Sequence, residues 1–221
     1  MTRERFERKL RELQDEVLIM GSMVEKAIQR SVDALRNRDE SLSNAVIADD
    51  MAINAKRYHI EEECIHTIAL QQPMAADLRV IVAILFIANE LERMADHAEG
   101  IGRINLMLGE GPLPRPLGDI IEMADRGGDM LRRALTSFVE RDDAAARLIC
   151  DEDDAIDSLY DQSYHALIQE MVRSPQDIQD ITYLIWTCHN LERIADRVTN
   201  ICERVIFMVT GQLEEINVSR Y

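Results

Sequence analysis

Apolar residues recur every three or four positions almost from end to end of this chain. That is the period of an α-helix burying one face. The strongest interruption is GEGPLPRPLG at 109–118, which holds three of the five prolines and reads as a linker. Pro73 and Pro175 each close one periodic stretch and open the next, because proline disfavours helix in the residue before it. Softer breaks fall near Asn37–Ser41 and Arg141–Asp142. The pattern predicts six helices, at roughly 3–37, 41–70, 75–108, 117–139, 142–172 and 176–213. Short connections make neighbouring helices antiparallel.

The two halves repeat one another. LERMAD at 91–96 returns as LERIAD at 191–196, an offset of 100, and Phe86 is matched by Trp186 and Ile101 by Ile201. One helix earlier, Asp50-x-x-Ile53-Asn54 is matched by Asp153-x-x-Ile156-Asp157 at an offset of 103. In the first helix, Met23-Val24 and Lys26-Ala27 pair with Met130-Leu131 and Arg133-Ala134 at 107, so a turn of helix must be lost before Arg38-Asp39 and Arg141-Asp142. The expectation is an all-α protein of two tandem, internally duplicated three-helix bundles, residues 1–110 and 117–221.

Composition fits that picture. Hydrophobic residues make up 47% of 221, with only 5% aromatic, and Leu, Ile, Ala, Glu and Arg are plentiful. A net charge of −16 argues against nucleic acid and against direct attraction to an anionic membrane. Cys64, Cys150, Cys188 and Cys202 form no CxxC pair, fall on apolar stripes and read as buried free thiols in a reducing compartment. MTRERFERKLREL has no apolar signal core, and the longest apolar run, Val80 to Ala88, is nine residues, too short to span a bilayer. A cytoplasmic protein is expected.

The acids carry the candidate chemistry. In the third helix Ile84, Ala88, Leu91, Ala95 and Ala98 form the apolar stripe, with Glu92, Asp96 and Glu99 on its shoulder and Arg93 and His97 facing away. In the sixth, Leu184, Cys188, Leu191, Ala195 and Val198 form the stripe, with Glu192 and Asp196 on its shoulder. In the second, Ile53, Cys64, Ile65 and Ile68 mark the apolar face, and Asp50, Asn54, Arg57 and Glu61 lie within it. In the fifth, Ile156, Leu167, Ile168 and Met171 mark it, with Asp153 and Asp157 inside.

Like charges four apart repel, and burying them unpaired is costly. Two helices offering two oxygens each could hold a hard cation such as magnesium, manganese, calcium or iron. The same pattern also arises on solvated helix faces, and Arg57 or Arg103 could neutralise the acids without a metal. Glu63-x-x-His66 occurs once, opposite the apolar face, and is read as surface. His59, His97, His165 and His189 show no ligand spacing, and no GxSxG, Walker A or GxGxxG is present.

MGSMVEKAIQRSVDAL (20–35), QQPMAADLR (71–79) and the two LERxAD copies resemble the PhoU family of phosphate-specific transport accessory proteins over nearly the whole chain. The resemblance implies two tandem three-helix bundles in the cytoplasm. It implies metal binding through E/DxxxD motifs, in some members as multinuclear iron or zinc clusters. Carried over, the motif residues are Glu92, Asp96, Glu192 and Asp196, with Asp50 and Asn54, and Asp153 and Asp157, on the partner helices. Asn54 departs from the motif and leaves the first site one charge poorer. The resemblance further implies negative control of phosphate uptake, through contact with the phosphate ABC transporter ATPase and the sensor histidine kinase of the phosphate regulon. A homodimer, with no enzymatic activity, completes the expectation. A metal-dependent phosphohydrolase, or a metal-storing protein using the same acids, is the alternative.

Overall fold

The computed structural model describes residues 3–108, 113 and 117–216. Its elements are α1 (Arg3–Asn37), α2 (Glu40–Gln71), α3 (Ala76–Met107), α4 (Gly118–Glu140), α5 (Asp143–Asp151), α6 (Asp153–Arg173), a 3-10 turn (Pro175–Asp177) and α7 (Ile178–Thr210). No strand occurs among the described residues, and the predicted helices are all present. The linker expected at 109–118 lies largely outside the described residues.

The fifth predicted helix is broken in two. Asp151, Glu152, Asp153 and Asp154 are four consecutive acids, and negative charge is favoured in the first turn of a helix, where Asp153 and Asp154 lie in α6. Glu152 is drawn sideways to Arg133 of α4, whose Nη1 donates at 2.7 Å, and its N–H bonds Ile149 O three residues back. Asp153 then starts α6 with its side chain pointing inward.

Within the first trio, α1 and α2 run antiparallel, pinned by Lys9 to Glu63 at 2.5 Å and by Lys56 to Glu16. Glu63 therefore faces α1, not the far side of its helix as the wheel suggested. Ile65 is also misplaced by that wheel: it is 54% exposed, and Ile60 and Thr67 take up the buried face beside Ile53 and Cys64.

The seam between the halves is α3 against α7. They run antiparallel: Arg79 near the start of α3 reaches Met208 O near the end of α7, and the Arg204 guanidinium lies 4.4 Å from the Phe86 ring centre. α1 packs on α3 and α2, α4 on α7, α5 and α6, and α1 touches α4 where Gly21 meets Leu135.

The register of the repeat differs from the expected one. The buried residues of α1, Val17, Met20, Gly21, Val24, Ala27, Ile28, Ser31, Val32, Ala34 and Leu35, map onto buried residues of α4 at 103, from Ile120 to Phe138. The offset is thus constant through the first two helices, and no turn is lost. A slip of four residues rotates an apolar stripe by only about 40°, so the pattern alone fits both registers.

Candidate functional site

Two acidic clusters flank the α3–α7 seam. The first lies between α2 and α3. Asp50 is half-buried, and its Oδ2 accepts from Asn54 Nδ2 at 2.7 Å. Burial first, then the negative charges of Asp96, Glu99 and Glu92, push the Asp50 carboxyl up to about 6, against Arg103. Its buried Oδ1 has no hydrogen-bond partner. Glu92 and Asp96 are likewise raised, by burial and then by Asp96 and Glu99 respectively. Two arginines temper this cluster. Arg57 Nε stands 3.9 Å from Glu92, although Arg57 bonds Glu61 more closely at 2.8 Å, and Arg103 donates to Glu99 at 2.5 Å.

The second cluster lies between the start of α6 and α7. Asp153 is 1% exposed and Glu192 3%. Burial, then Asp157, Asp196 and Glu192, push the Asp153 carboxyl up to about 7. Asp157 is raised by burial and then by Asp196, and Asp196 by burial against Arg193 and Arg197. Arg193 bonds Asp196 at 2.6 Å. His189 was not expected here, yet its Nδ1 lies 3.4 Å from Glu192 Oε2. Its signal was the i,i+3 spacing to Glu192, readable only once Glu192 was known to be buried.

The eight predicted residues are thus brought together in two groups of four, each across a helix pair. They are not equally deep: Asp153 and Glu192 are buried, whereas Asp96 and Asp157 are exposed. Their chemistry suits a hard cation, since the donors are oxygens, the charge is undercompensated, and Asp50 has a buried oxygen to spare. In their present rotamers no three His, Cys, Asp or Glu side chains among the described residues converge tightly enough to hold one. Closure would take side-chain rotation.

The seam holds polar residues that the helical wheels missed. Glu90, buried, accepts from Arg197 Nη1 at 3.3 Å and from Asn200 Nδ2 at 3.0 Å. At the other end His97 Nδ1 is 2.9 Å from Asn190 Oδ1. His97 does not face away; it meets the other half. With the offset of 100, Glu90 corresponds to Asn190 and His97 to Arg197, so one pair is the image of the other about a pseudo-twofold between α3 and α7. The halves differ by making one pair ionic and the other neutral.

This duplicated geometry agrees with comparison to known proteins. The PhoU domain model matches the chain twice, over residues 17–104 and 120–205. The chain belongs to the PhoU domain family. A phosphate-specific transport system accessory protein PhoU homolog of Clostridium acetobutylicum is 36% identical over 98% of this chain and 100% of its own length. The crystal structure of PhoU from Pseudomonas aeruginosa superposes with a TM-score of 0.89 at 33% identity, covering 94% of this chain and 100% of that one. The phosphate transport system regulatory protein PhoU from Streptococcus pneumoniae gives 0.86 at 31%, covering 95% and 99%.

Proposed function

We propose that this chain is a non-catalytic regulator of phosphate uptake, acting in the cytoplasm as a homodimer. It would restrain the phosphate-starvation response when phosphate is plentiful by bridging the phosphate ABC transporter ATPase and the sensor histidine kinase. The observation that carries this reading is the likeness to accessory proteins of phosphate-specific transport over the full length of the Clostridium relative. Among the described residues, no helix is long and apolar enough to cross a membrane, which suits contact with membranes through partners only.

Metal binding belongs to the same proposal. Asp50, Asn54, Glu92 and Asp96 would hold one cation, and Asp153, Asp157, Glu192 and Asp196 a second. Iron, zinc, manganese and magnesium are the candidates, and the oxygen donors favour the harder ions. Bound there, an ion supplies positive charge that offsets the carboxylate repulsion. The chain's own part is to present oxygens from two helices of each trio, so that binding would tie α2 to α3 and α6 to α7. The deeper second cluster, with His189 beside it, has the larger uncompensated charge and should fill first.

Deleting the gene tests the regulatory reading. Phosphate-starvation genes should be expressed in phosphate-rich medium and be silenced again by the wild-type chain; unchanged expression in the deletion strain would refute it. Elemental analysis of the purified chain should show metal that falls on changing Glu192→Ala with Asp196→Ala. Undiminished metal would remove those residues as ligands while leaving the regulatory reading standing.

A further inference from the structure

Cys150 and Cys202 are buried free thiols on different helices. Cys150 is the last residue but one of α5, just before the break at Glu152, and Cys202 lies on α7. Their helices pack directly against each other. Cys150 Sγ also lies 3.9 Å from Thr199 O, one turn before Cys202 on the same helix.

The internal repeat measures the backbone approach independently. In the first half, the position equivalent to Cys150 is Ile47, and that equivalent to Cys202 is Gly102. A Cβ built on Gly102 would stand 3.7 Å from Ile47 Cγ1 and 3.8 Å from Val46 Cβ. Both halves therefore bring these two helices into side-chain contact at this level. The first half fills the gap with an isoleucine against a glycine, the second with two sulfurs. The Ile47 contact sets the γ atom of the Cys150-equivalent residue against the Cβ of the Cys202-equivalent one, the direction in which the two sulfurs of a disulfide meet.

We propose that Cys150 and Cys202 are a dithiol that a two-electron oxidant closes to a disulfide, stapling α5 to α7 beneath the second acidic cluster. With a hydroperoxide as oxidant, one thiolate attacks the peroxide oxygen and becomes a sulfenic acid as the alcohol, or water, leaves. The second thiol then attacks that sulfur, the S–S bond forms and water departs. Two hydrogens and two electrons pass from the thiols to the peroxide. The neighbouring Cys150 first, and then burial, hold the Cys202 thiol well above its ordinary range, so the pair is slow to react at rest. Access comes through local opening of α5, a nine-residue helix bounded by the break.

The consequence falls on one half only. Cys150 precedes Asp153 by one turn, and Cys202 follows Asp196 by less than two. The bond would fix the start of the helix carrying Asp153 and Asp157 against the helix carrying Glu192 and Asp196. Ile47 and Gly102 give the first cluster no such bond.

The purified full chain would be treated with diamide, and separately with hydrogen peroxide, then digested with trypsin without reduction. The expected product is peptide 148–173 joined to peptide 198–204, lighter by two hydrogens than the sum of the two. Cys150→Ser or Cys202→Ala should abolish it, and Cys64→Ser or Cys188→Ser should not. Oxidised wild type should melt on the order of 10 °C higher than reduced, with no shift in Cys150→Ser. Four thiols still free after overnight treatment at alkaline pH, or a bond joining any other pair, would overturn the proposal. A bond that forms but lowers the melting midpoint would show that the helices must move to make it, and would overturn it equally.

Discussion

Burying Asp153 among Asp157, Glu192 and Asp196 makes protonation part of folding. Its carboxyl stands at about 7 in the folded chain against an ordinary 3.8, so the folded state keeps a proton that the unfolded chain has released. Stability in the metal-free protein should therefore fall as pH rises from about 4 to about 7 and level off above, a loss of up to about 4 kcal/mol. Asp50, at about 6, adds to the same trend. Glu63, Glu152 and Glu214 are held low by hydrogen bonds from Lys9, Arg133 and Arg147, so they act in the opposite direction and only at more acid pH. Asp153→Asn should flatten the slope and melt higher than wild type near pH 8 in chelator. A thermal melt series across that range checks it, and a variant less stable than wild type near pH 8 would contradict it. The acids themselves were legible from helical spacing. Their depth was not, because Asp153 and Asp157 share a face yet only the first lies beneath α7.

At the scale of the element, the paired turns Arg38-Asp39 and Arg141-Asp142 show how closely the halves copy each other. Both arginines take the left-handed conformation, φ 54° and 57°, and end a helix. Both aspartates cap the next one: Asp39 Oδ1 accepts from Leu42 N and Asp142 Oδ1 from Ala145 N, each at 2.9 Å. Asp39→Ala and Asp142→Ala should each cost about 1 kcal/mol in urea denaturation, with serine at either position recovering most of it. Equal stability of the alanine variants and wild type would mean the caps contribute nothing. These turns anchor the constant offset of 103, and α1 obeys it as well. The misread register arose because Met23-Val24 and Met130-Leu131 are alike in kind while one turn apart in place.

For the whole molecule, the seam is where two similar halves become one body. Glu90 and Arg197 meet across it largely out of water, and Arg197 is only 19% exposed. Removing the carboxylate leaves that guanidinium poorly solvated, so Glu90→Ala should cost about 2–3 kcal/mol. The image pair, His97 with Asn190, is neutral in its hydrogen bond, and Asn190→Ala should cost about 1 kcal/mol. Urea denaturation of both variants compares them, and a Glu90 variant no worse than the Asn190 one would show that the ionic pair is not buried in effect. The seam was hidden in the sequence because Glu90 and His97 sit on the polar edge of a helical wheel. A wheel reports which side a residue occupies, not whether a second helix lies there.

Local repetition along the chain was enough to determine the helical segments other than the break at Glu152, their order, the duplication and the grouping of seven acids and Asn54 into two sets of four. Each of these depends on the 3.6-residue period or on spacing between identical motifs, and both are properties of the chain before it folds. Tertiary packing alone decided the register of α4 against α1, the depth of Asp153 and Glu192, the ionic seam, and the meeting of Cys150 with Cys202. Those depend on which helix covers which face. A helix accepts neighbours at several nearly equivalent rotations, and only the joint packing of all the helices selects among them.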